Sequence, residues 1–576
     1  MDSINSFKGY GKVNEAEELA FRKKTRRRVT IITISIVLLA IIVVGAVIGT
    51  VIHKRKKSSN QDNTSTSSAD SIQAVCSVTQ YKEACSSSLA AIQSSDKRDP
   101  EELFRLSLKI AMKELSNIFS VPDLLAARAN DARVRAALND CKDLFDSAID
   151  QLNDSLSLMQ PGSGEGKILS NTKLEDIRTW LSSAVTDQET CLDGLSQISV
   201  DFTQQMQNAM KNSTEFASNC LAIATKILSI LEKFNIPIHR KLLAMDFPIW
   251  VSAKDRKLLQ ETNPTPNVIV DPNGGGDFKT ITEAVASVPK KNTKRYVIYV
   301  KQGIYKEKVE LDKSKWNVMM YGDGMNKTIV TGRLNFKDGT PTFSTATFVA
   351  VGRGFIARDM GFENTAGPKG EQAVAFRSGS DRSVFYRCSF HAFQDTLYSH
   401  SNRQFYRDCD ISGTVDFIFG NAAVVYQECN ILPRQPGANQ KNTITAQGKK
   451  DPNQNTGISI QQCRISQFDS NMTAPTYLGR PWKEYSTTII IKTAIGGFLH
   501  PAGWLSWTGD NTEPPKTIFY AEYMNSGPGA NVANRVKWSG FNAAISEDVA
   551  SKYTVDSFIQ GSEWLPDTGV QYGASL

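Results

Sequence analysis

Between Gln372 and Cys429 the chain repeats a short pattern at intervals of about 20 residues. It reads Phe385-Tyr386-Arg387-Cys388, then Phe405-Tyr406-Arg407-Asp408-Cys409, then Val425-Tyr426-Gln427-Glu428-Cys429. A period of that length, built of apolar runs too short for helices, points to a solenoid of stacked strands. In a parallel β-helix, residues one coil apart lie about 4.8 Å from each other in the strand-pairing direction. Gln372 and Gln394 are 22 residues apart, and Asp395 and Asp416 are 21 apart. The period therefore predicts that two amides and two carboxylates, remote in sequence, converge on one face. The plainer alternative is that Gln and Asp at solenoid turns only cap strand ends, and the residues alone leave both open.

At 576 residues the chain exceeds one ordinary core, so two or three domains are expected. The net charge of +7 is unevenly spread: about +8 falls in residues 1–57, about −5 in the middle third and about +4 from residue 260 onward. A mildly basic C-terminal half tolerates an acidic polymer. It has no basic run interleaved with aromatics, which argues against nucleic acid. The nine cysteines form no Cys-x-x-Cys pair and the five histidines have no ligand spacing, so no metal site is expected. Asn63, Asn153, Asn212, Asn326 and Asn471 each begin an Asn-x-Ser/Thr sequon, which suits an oxidising, lumenal route.

Residues 1–28 form a polar tail ending in a basic cluster, Arg22 to Arg28. Residues 29–52 are uncharged, and as a helix they would span about 36 Å, enough to cross a bilayer. The heavier basic cluster on the N-terminal side predicts a signal anchor with its tail in the cytosol and the rest of the chain in the lumen. Cleavage near Gly49 is the alternative. Residues 53–70 form a flexible linker. Four helical stripes follow: Leu103 to Ile118, Leu144 to Met159, Leu174 to Leu192, and Leu221 to Leu231. Four amphipathic helices in 71–231 predict an antiparallel bundle whose stripes are core rather than a cofactor box. Cys76 and Cys85 could close a short loop and Cys141 and Cys191 could join two helices, leaving Cys220 over.

Residues 232–265 lose periodicity and carry two similar strings, Arg240-Lys241-Leu242-Leu243 and Arg256-Lys257-Leu258-Leu259, which read as protease sites in a linker. From 266 to 576 short strands dominate, among them Tyr296–Val300, Val318–Tyr321, Thr328–Val330 and Thr345–Val351. One short helix is expected over Thr280 to Val288. Asp271 to Asp277 is a turn outside any βαβ unit, so it is not a nucleotide loop. Cys409 could pair with Cys429, or Cys429 with Cys463.

No Gly-x-Ser-x-Gly elbow is present. The candidate chemistry is the carboxylate pair: two close carboxyls do not titrate alike, and Arg480 would favour the charged form of whichever it touches. Five motifs carry a further signal: Gly303-Ile304-Tyr305-Lys306-Glu307, Gln372-Ala373-Val374-Ala375, Gln394-Asp395-Thr396-Leu397-Tyr398, Asp416-Phe417-Ile418-Phe419-Gly420 and Leu478-Gly479-Arg480-Pro481-Trp482. Together, over roughly 266–562, they closely resemble the plant pectin methylesterase (pectinesterase) family. Residues 71–231 resemble that family's inhibitor-like pro-region, and the two basic-dileucine strings its processing sites. The resemblance implies a right-handed parallel β-helix that removes methyl esters from homogalacturonan without a cofactor, behind an autoinhibitory four-helix bundle. It implies Asp416 as nucleophile, Asp395 as acid and base, Gln372 and Gln394 as oxyanion donors, and Arg480 as the residue that holds Asp416. Thr342 and Trp482, with Gln372 and Arg480, would touch substrate. Implied partners are methyl-esterified pectin, the chain's own pro-region or separate inhibitor proteins, and a processing protease, with the membrane held through the anchor. The implied route is a type II precursor in the Golgi and a mature enzyme secreted to the cell wall. The competing readings are a pectin-cleaving glycosidase or lyase, and a non-catalytic inhibitor or binding protein.

Overall fold

The computed structural model describes residues 68–92, 99–160, 170–233, 264–509 and 512–576. The expected membrane segment, Asn63 and both basic-dileucine strings lie outside those residues. The first described part is helical: α1 Ser68–Cys76, α2 Lys82–Ala91, α3 Pro100–Asn117, α4 Val121–Ala126, α5 Ala132–Leu158, α6 Asn171–Ser196 and α7 Val200–Lys233. The four long ones are the expected bundle helices. Two start earlier than their apolar stripes suggested. α5 begins at Ala132 because the Asp131 side chain accepts a hydrogen bond from the Arg133 amide, an N-cap that supplies the start. α7 begins at Val200, where Met206, Met210 and Ala217 bury a sparse stripe among polar residues. Disulfides join Cys76 to Cys85 and Cys141 to Cys191, and Cys220 is a buried thiol, as the spacing suggested.

From Val268 onward the chain winds into three sheets of eleven, seven and eight strands, every recorded pairing parallel. The repeat is the coil. Phe385 pairs with Tyr406 and Tyr406 with Tyr426 in the eleven-stranded sheet. Their rings stack inside at 4.4 and 4.7 Å between centroids. Arg387, Asp408, Glu428 and Gln462, with φ of 51°, 52°, 53° and 54°, each take the left-handed conformation that turns the chain into the eight-stranded sheet. A buried cysteine follows each corner. An αL corner at this same point of successive coils is why the aromatic, polar, cysteine pattern recurs. The expected strands Tyr296–Val300 and Val318–Tyr321 are observed as such. Thr328 continues to Gly332, while Thr345–Val351 shortens to Phe348–Ala350 after a 3-10 turn at Thr342–Ser344. Helix α8, Ile281–Ser287, is fixed by a capping box between Thr280 and Glu283 and closes one end of the core.

One sequence expectation is corrected. Cys409 and Cys429 are thiols, as are Cys388 and Cys463. They point into successive layers of the interior, where Cys409 Sγ donates to the Phe385 carbonyl (3.4 Å) and Cys463 Sγ to the Tyr426 carbonyl (3.3 Å). The coil spacing is held by the backbone ladder rather than by a covalent link.

Phe376 sits at the centre of the interior ladder, packed on Phe348, Phe362, Phe385 and Phe390. Truncating it should cost about 3–5 kcal/mol, since neighbouring coils cannot collapse into the void without breaking register. Urea unfolding of Phe376→Ala against wild type measures this, and a loss below about 1 kcal/mol would contradict the packing described.

Candidate active site

The residues singled out by the period meet at one edge of the seven-stranded sheet. Gln372 lies just ahead of strand Phe376–Ser378, Gln394 and Asp395 ahead of Leu397–Ser399, and Asp416 ahead of Ile418–Gly420. Arg480 follows Thr476–Gly479. Gln372 and Gln394 form a parallel bridge, and Leu397 pairs with Ile418, so Asp395 and Asp416 hold the same position in adjacent coils. Both acids are left-handed, with φ of 63° and 51°. That conformation costs a β-carbon residue about 1–3 kcal/mol and turns each carboxyl out of the ladder. The Asp395 amide remains tied to the Val415 carbonyl at 3.0 Å.

Asp416 is bonded as a carboxylate. Arg480 grips it with two nitrogens, Nε to Oδ1 at 2.9 Å and Nη2 to Oδ2 at 2.6 Å. The Thr443 hydroxyl donates to Oδ1 at 2.6 Å and accepts from the Asp416 amide at 2.9 Å. Although burial alone would depress the Arg480 guanidinium, Asp416 holds it above its ordinary value. Asp395 is 7% exposed. Burial first, and then the Asp416 charge, push its carboxyl well above the usual range, with Arg480 acting the other way. The two carboxyls thus sit in unlike settings, one held by Arg480 and Thr443 and the other buried beside it and shifted upward. The Gln372 and Gln394 side-chain amides line the cavity with the two acids and have no protein hydrogen-bond partner among the described residues. Trp482 and Trp507 form the far wall, 6.3 Å between centroids, and Arg480 lies 4.2 Å over the Trp507 ring. Gly448 is required beneath this wall, because a Cβ there would meet the Trp482 ring at 2.9 Å.

Every residue expected at the site lines one cavity of about 140 Å³: Thr342, Gln372, Gln394, Asp395, Asp416, Arg480 and Trp482. Sequence reading missed Thr443 and Trp507. Thr443 lies 27 residues after Asp416 because the loop before strand Asn442–Gln447 lengthens that coil, so the period of about 20 did not reach it.

Comparison with known proteins decides the class. The pattern described as "Pectinesterase" matches residues 267–562, and that described as "Plant invertase/pectin methylesterase inhibitor" matches residues 70–223. A bean (Phaseolus vulgaris) protein named pectinesterase 3 is 56% identical over the whole of both chains. An Arabidopsis thaliana protein named pectinesterase 1 is 52% identical over 99% of each. The chain belongs to the pectinesterase family. A solved carrot pectin methylesterase is 50% identical with a TM-score of 0.53; it covers 55% of this chain and 100% of its own.

In this pectinesterase the cavity has a second wall that sequence alone did not place. Thr190, Asp193 and Gly194 of α6, and its C-cap Gln197, line it opposite the acids. Thr342 donates its hydroxyl to Gln197 Oε1 at 2.9 Å, and Lys483 bonds Asp193 at 2.5 Å. Farther along α6, Asn421 donates to the Thr186 hydroxyl at 2.9 Å, and Arg403 reaches Asp176 at 2.7 Å.

The upward shift of the Asp395 carboxyl has a measurable signature. The infrared carbonyl band lost in Asp395→Asn should persist to a pH well above the usual Asp range. In Asp416→Asn, with the like charge gone, it should disappear at lower pH than in wild type. A band that titrates at the ordinary carboxylic value in both would contradict the electrostatics described.

Proposed function

We propose that this pectinesterase hydrolyses the C6 methyl esters of galacturonate residues in homogalacturonan, with Asp416 as nucleophile and Asp395 as acid and then base. The observation that carries this reading is the contrast within the pair, one carboxyl gripped by Arg480 and Thr443 beside one that burial and the neighbouring Asp416 push upward. An Asp416 oxygen attacks the ester carbonyl, and the oxyanion receives the free amide hydrogens of Gln372 and Gln394. Asp395 gives its proton to the departing methoxide, so methanol leaves and an anhydride joins the C6 carbonyl to Asp416. Water then attacks, losing its proton to Asp395, and the galacturonate carboxylate and Asp416 are regenerated. Thr342 and Trp482 flank this centre as sugar contacts.

The bundle is proposed to silence the chain until it is removed, because α6 stands where the polymer would lie. Scission between 233 and 264, where the two basic-dileucine strings fall, would release it. The uncharged segment 29–52 would hold the precursor to a secretory membrane on the way to the cell wall. Asn153, Asn212, Asn326 and Asn471 are exposed and suited to glycosylation.

Two outcomes are expected. Released β-helix should liberate methanol from methylated pectin without shortening it, and Asp416→Ala should lose at least about 10³-fold in kcat; shortening of the polymer would refute the esterase mechanism. Uncut chain should be far less active than cut chain, most of all in acid. Burial pushes Asp140 up to about 6, facing Arg377, Asp143 and Lys308. It also raises Asp187, facing Arg377 and His400, and it raises Glu189 and Asp193, which face Lys483, Lys450 and Glu484. A carboxyl raised in the docked state favours docking below its free value and loses that contribution as pH rises through the raised value. Docking should therefore weaken through pH 6 and above. Equal activity of cut and uncut chains at pH 5 would refute self-inhibition.

A further inference from the structure

Helix α6 carries a run of hydroxyls that helix formation alone does not call for. Thr179, Ser182, Ser183 and Thr186 stand at i, i+3, i+4 and i+7, so they share one face, and all four are buried. Ser and Thr are poor residues for a helix interior, because their side chains compete for backbone groups. At Thr186 that competition has a consequence. Its hydroxyl donates to the Ser182 carbonyl at 2.9 Å, four residues back, and so turns its lone pairs outward as acceptors.

The β-helix meets this face with amide donors. Asn421 Nδ2 donates to Thr186 Oγ1 at 2.9 Å. Gln454 Nε2 donates to the same oxygen at 3.1 Å and to the Ser182 carbonyl at 2.9 Å. Asn402 Nδ2 donates to Ser183 Oγ at 3.2 Å. Asn455 gives its side-chain amide to Thr179 Oγ1 at 2.9 Å and its backbone amide to Ser182 Oγ at 3.2 Å. In every one of these bonds the β-helix donates and α6 accepts. The β-helix itself aims the donors. Asn421 Oδ1 is held by Gln447 Nε2 at 2.9 Å and by the Thr456 hydroxyl, and Gln454 Oε1 by the amides of Lys450 and Asp451 at 3.0 and 3.1 Å. With their carbonyl ends occupied, both side chains turn their NH2 ends to α6. None of the four amide residues lines the catalytic cavity.

A partner without acceptors at these places leaves buried donors unpaired, which costs far more than a missing ion pair at the rim. The pairs of Lys313 with Asp146 and Asp150, and of Arg353 with Asp154, are a third or more exposed and would form with many acidic surfaces. Charge therefore attracts, and the amides discriminate.

We propose that Asn402, Asn421, Gln454 and Asn455 form a recognition site for a helix face of Ser and Thr at this spacing. Its occupant is this chain's own bundle, which the β-helix rebinds as a separate chain in preference to bundles without those hydroxyls. The proposal concerns binding alone and stands apart from the reaction and from silencing.

The test folds the whole chain with a specific protease site placed between 233 and 264, cuts it, and measures the dissociation constant of the two fragments on dilution. Thr186→Val, of similar shape, leaves the donors of Asn421 and Gln454 unpaired and should weaken binding about 100-fold, whereas Thr186→Ser should stay within about threefold of wild type. Gln454→Glu reads the same contact from the β-helix side. It keeps the oxygen that the Lys450 and Asp451 amides hold, replaces the donor by a charged acceptor, and should also cost about 100-fold. Methanol release by the separated Gln454→Glu β-helix, equal to wild type, shows that its fold is intact. Lys313→Gln removes exposed pairs only and should cost less than about fivefold. Losses below about fivefold in both Thr186→Val and Gln454→Glu, or smaller than that of Lys313→Gln, would overturn the recognition site and leave charge as what selects the bundle. Wild-type fragments that do not rebind would overturn it as well.

Discussion

Everything at the candidate active site depends on one constraint, the parallel register of successive coils. No two of the residues that grip or charge Asp416 are close in sequence: Thr443 is 27 residues away and Arg480 is 64. What places them is the ladder in which Leu397 faces Ile418, Ile418 faces Thr445, and Thr445 faces Gly479. A slip of one residue would turn each side chain to the other face of its strand. The stacked Phe and Tyr rings of the interior make such a slip expensive. At Gly479 a Cβ would meet Thr445 Oγ1 at 1.9 Å, so the strand before Arg480 can seat only with glycine there.

The same ladder explains why the two acids sit in different electrostatic settings. Asp395 and Asp416 occupy equivalent positions in adjacent coils and share the left-handed backbone. They differ in what lies in the coils farther on. Asp416 has Thr443 and Arg480 beyond it, whereas Asp395 has Asp416. One carboxyl therefore collects donors and the other meets a like charge in a buried setting. The bundle is fitted to this end of the groove. Its acids meet lysines and arginines of the β-helix at Lys313, Arg353, Arg382 and Lys483, so charge complementarity holds the bundle on that surface.

Much of this could be read from the sequence, and the parts that could not have physical reasons. The aromatic and cysteine repeat revealed the coil because three successive turns carry an inward ring, a left-handed corner and a small buried residue at the same point. Gln372, Gln394, Asp395 and Asp416 followed from that period. Thr443 did not, since a surface loop lengthened its coil and loops are free to do so. The Cys409–Cys429 pairing failed because repetition of a residue type at a corner reflects a packing demand, which a thiol meets without oxidation. The bundle helices were visible from apolar stripes, but their starts were set by caps such as Asp131, outside those stripes. That Asp193 and Gln197 would face the acids was beyond sequence reasoning, because docking depends on the shapes of two finished folds.

The central claim is that register makes Asp416 and Arg480 one functional unit. A double-mutant cycle on methanol release tests it most directly, with Asp416→Asn, Arg480→Gln and the pair compared by kcat/KM. The account predicts strong coupling: Arg480→Gln costs about 10²-fold or more in wild type and less than about threefold once Asp416 is already Asn. Additive losses would mean that Arg480 acts independently of Asp416, and would contradict the account.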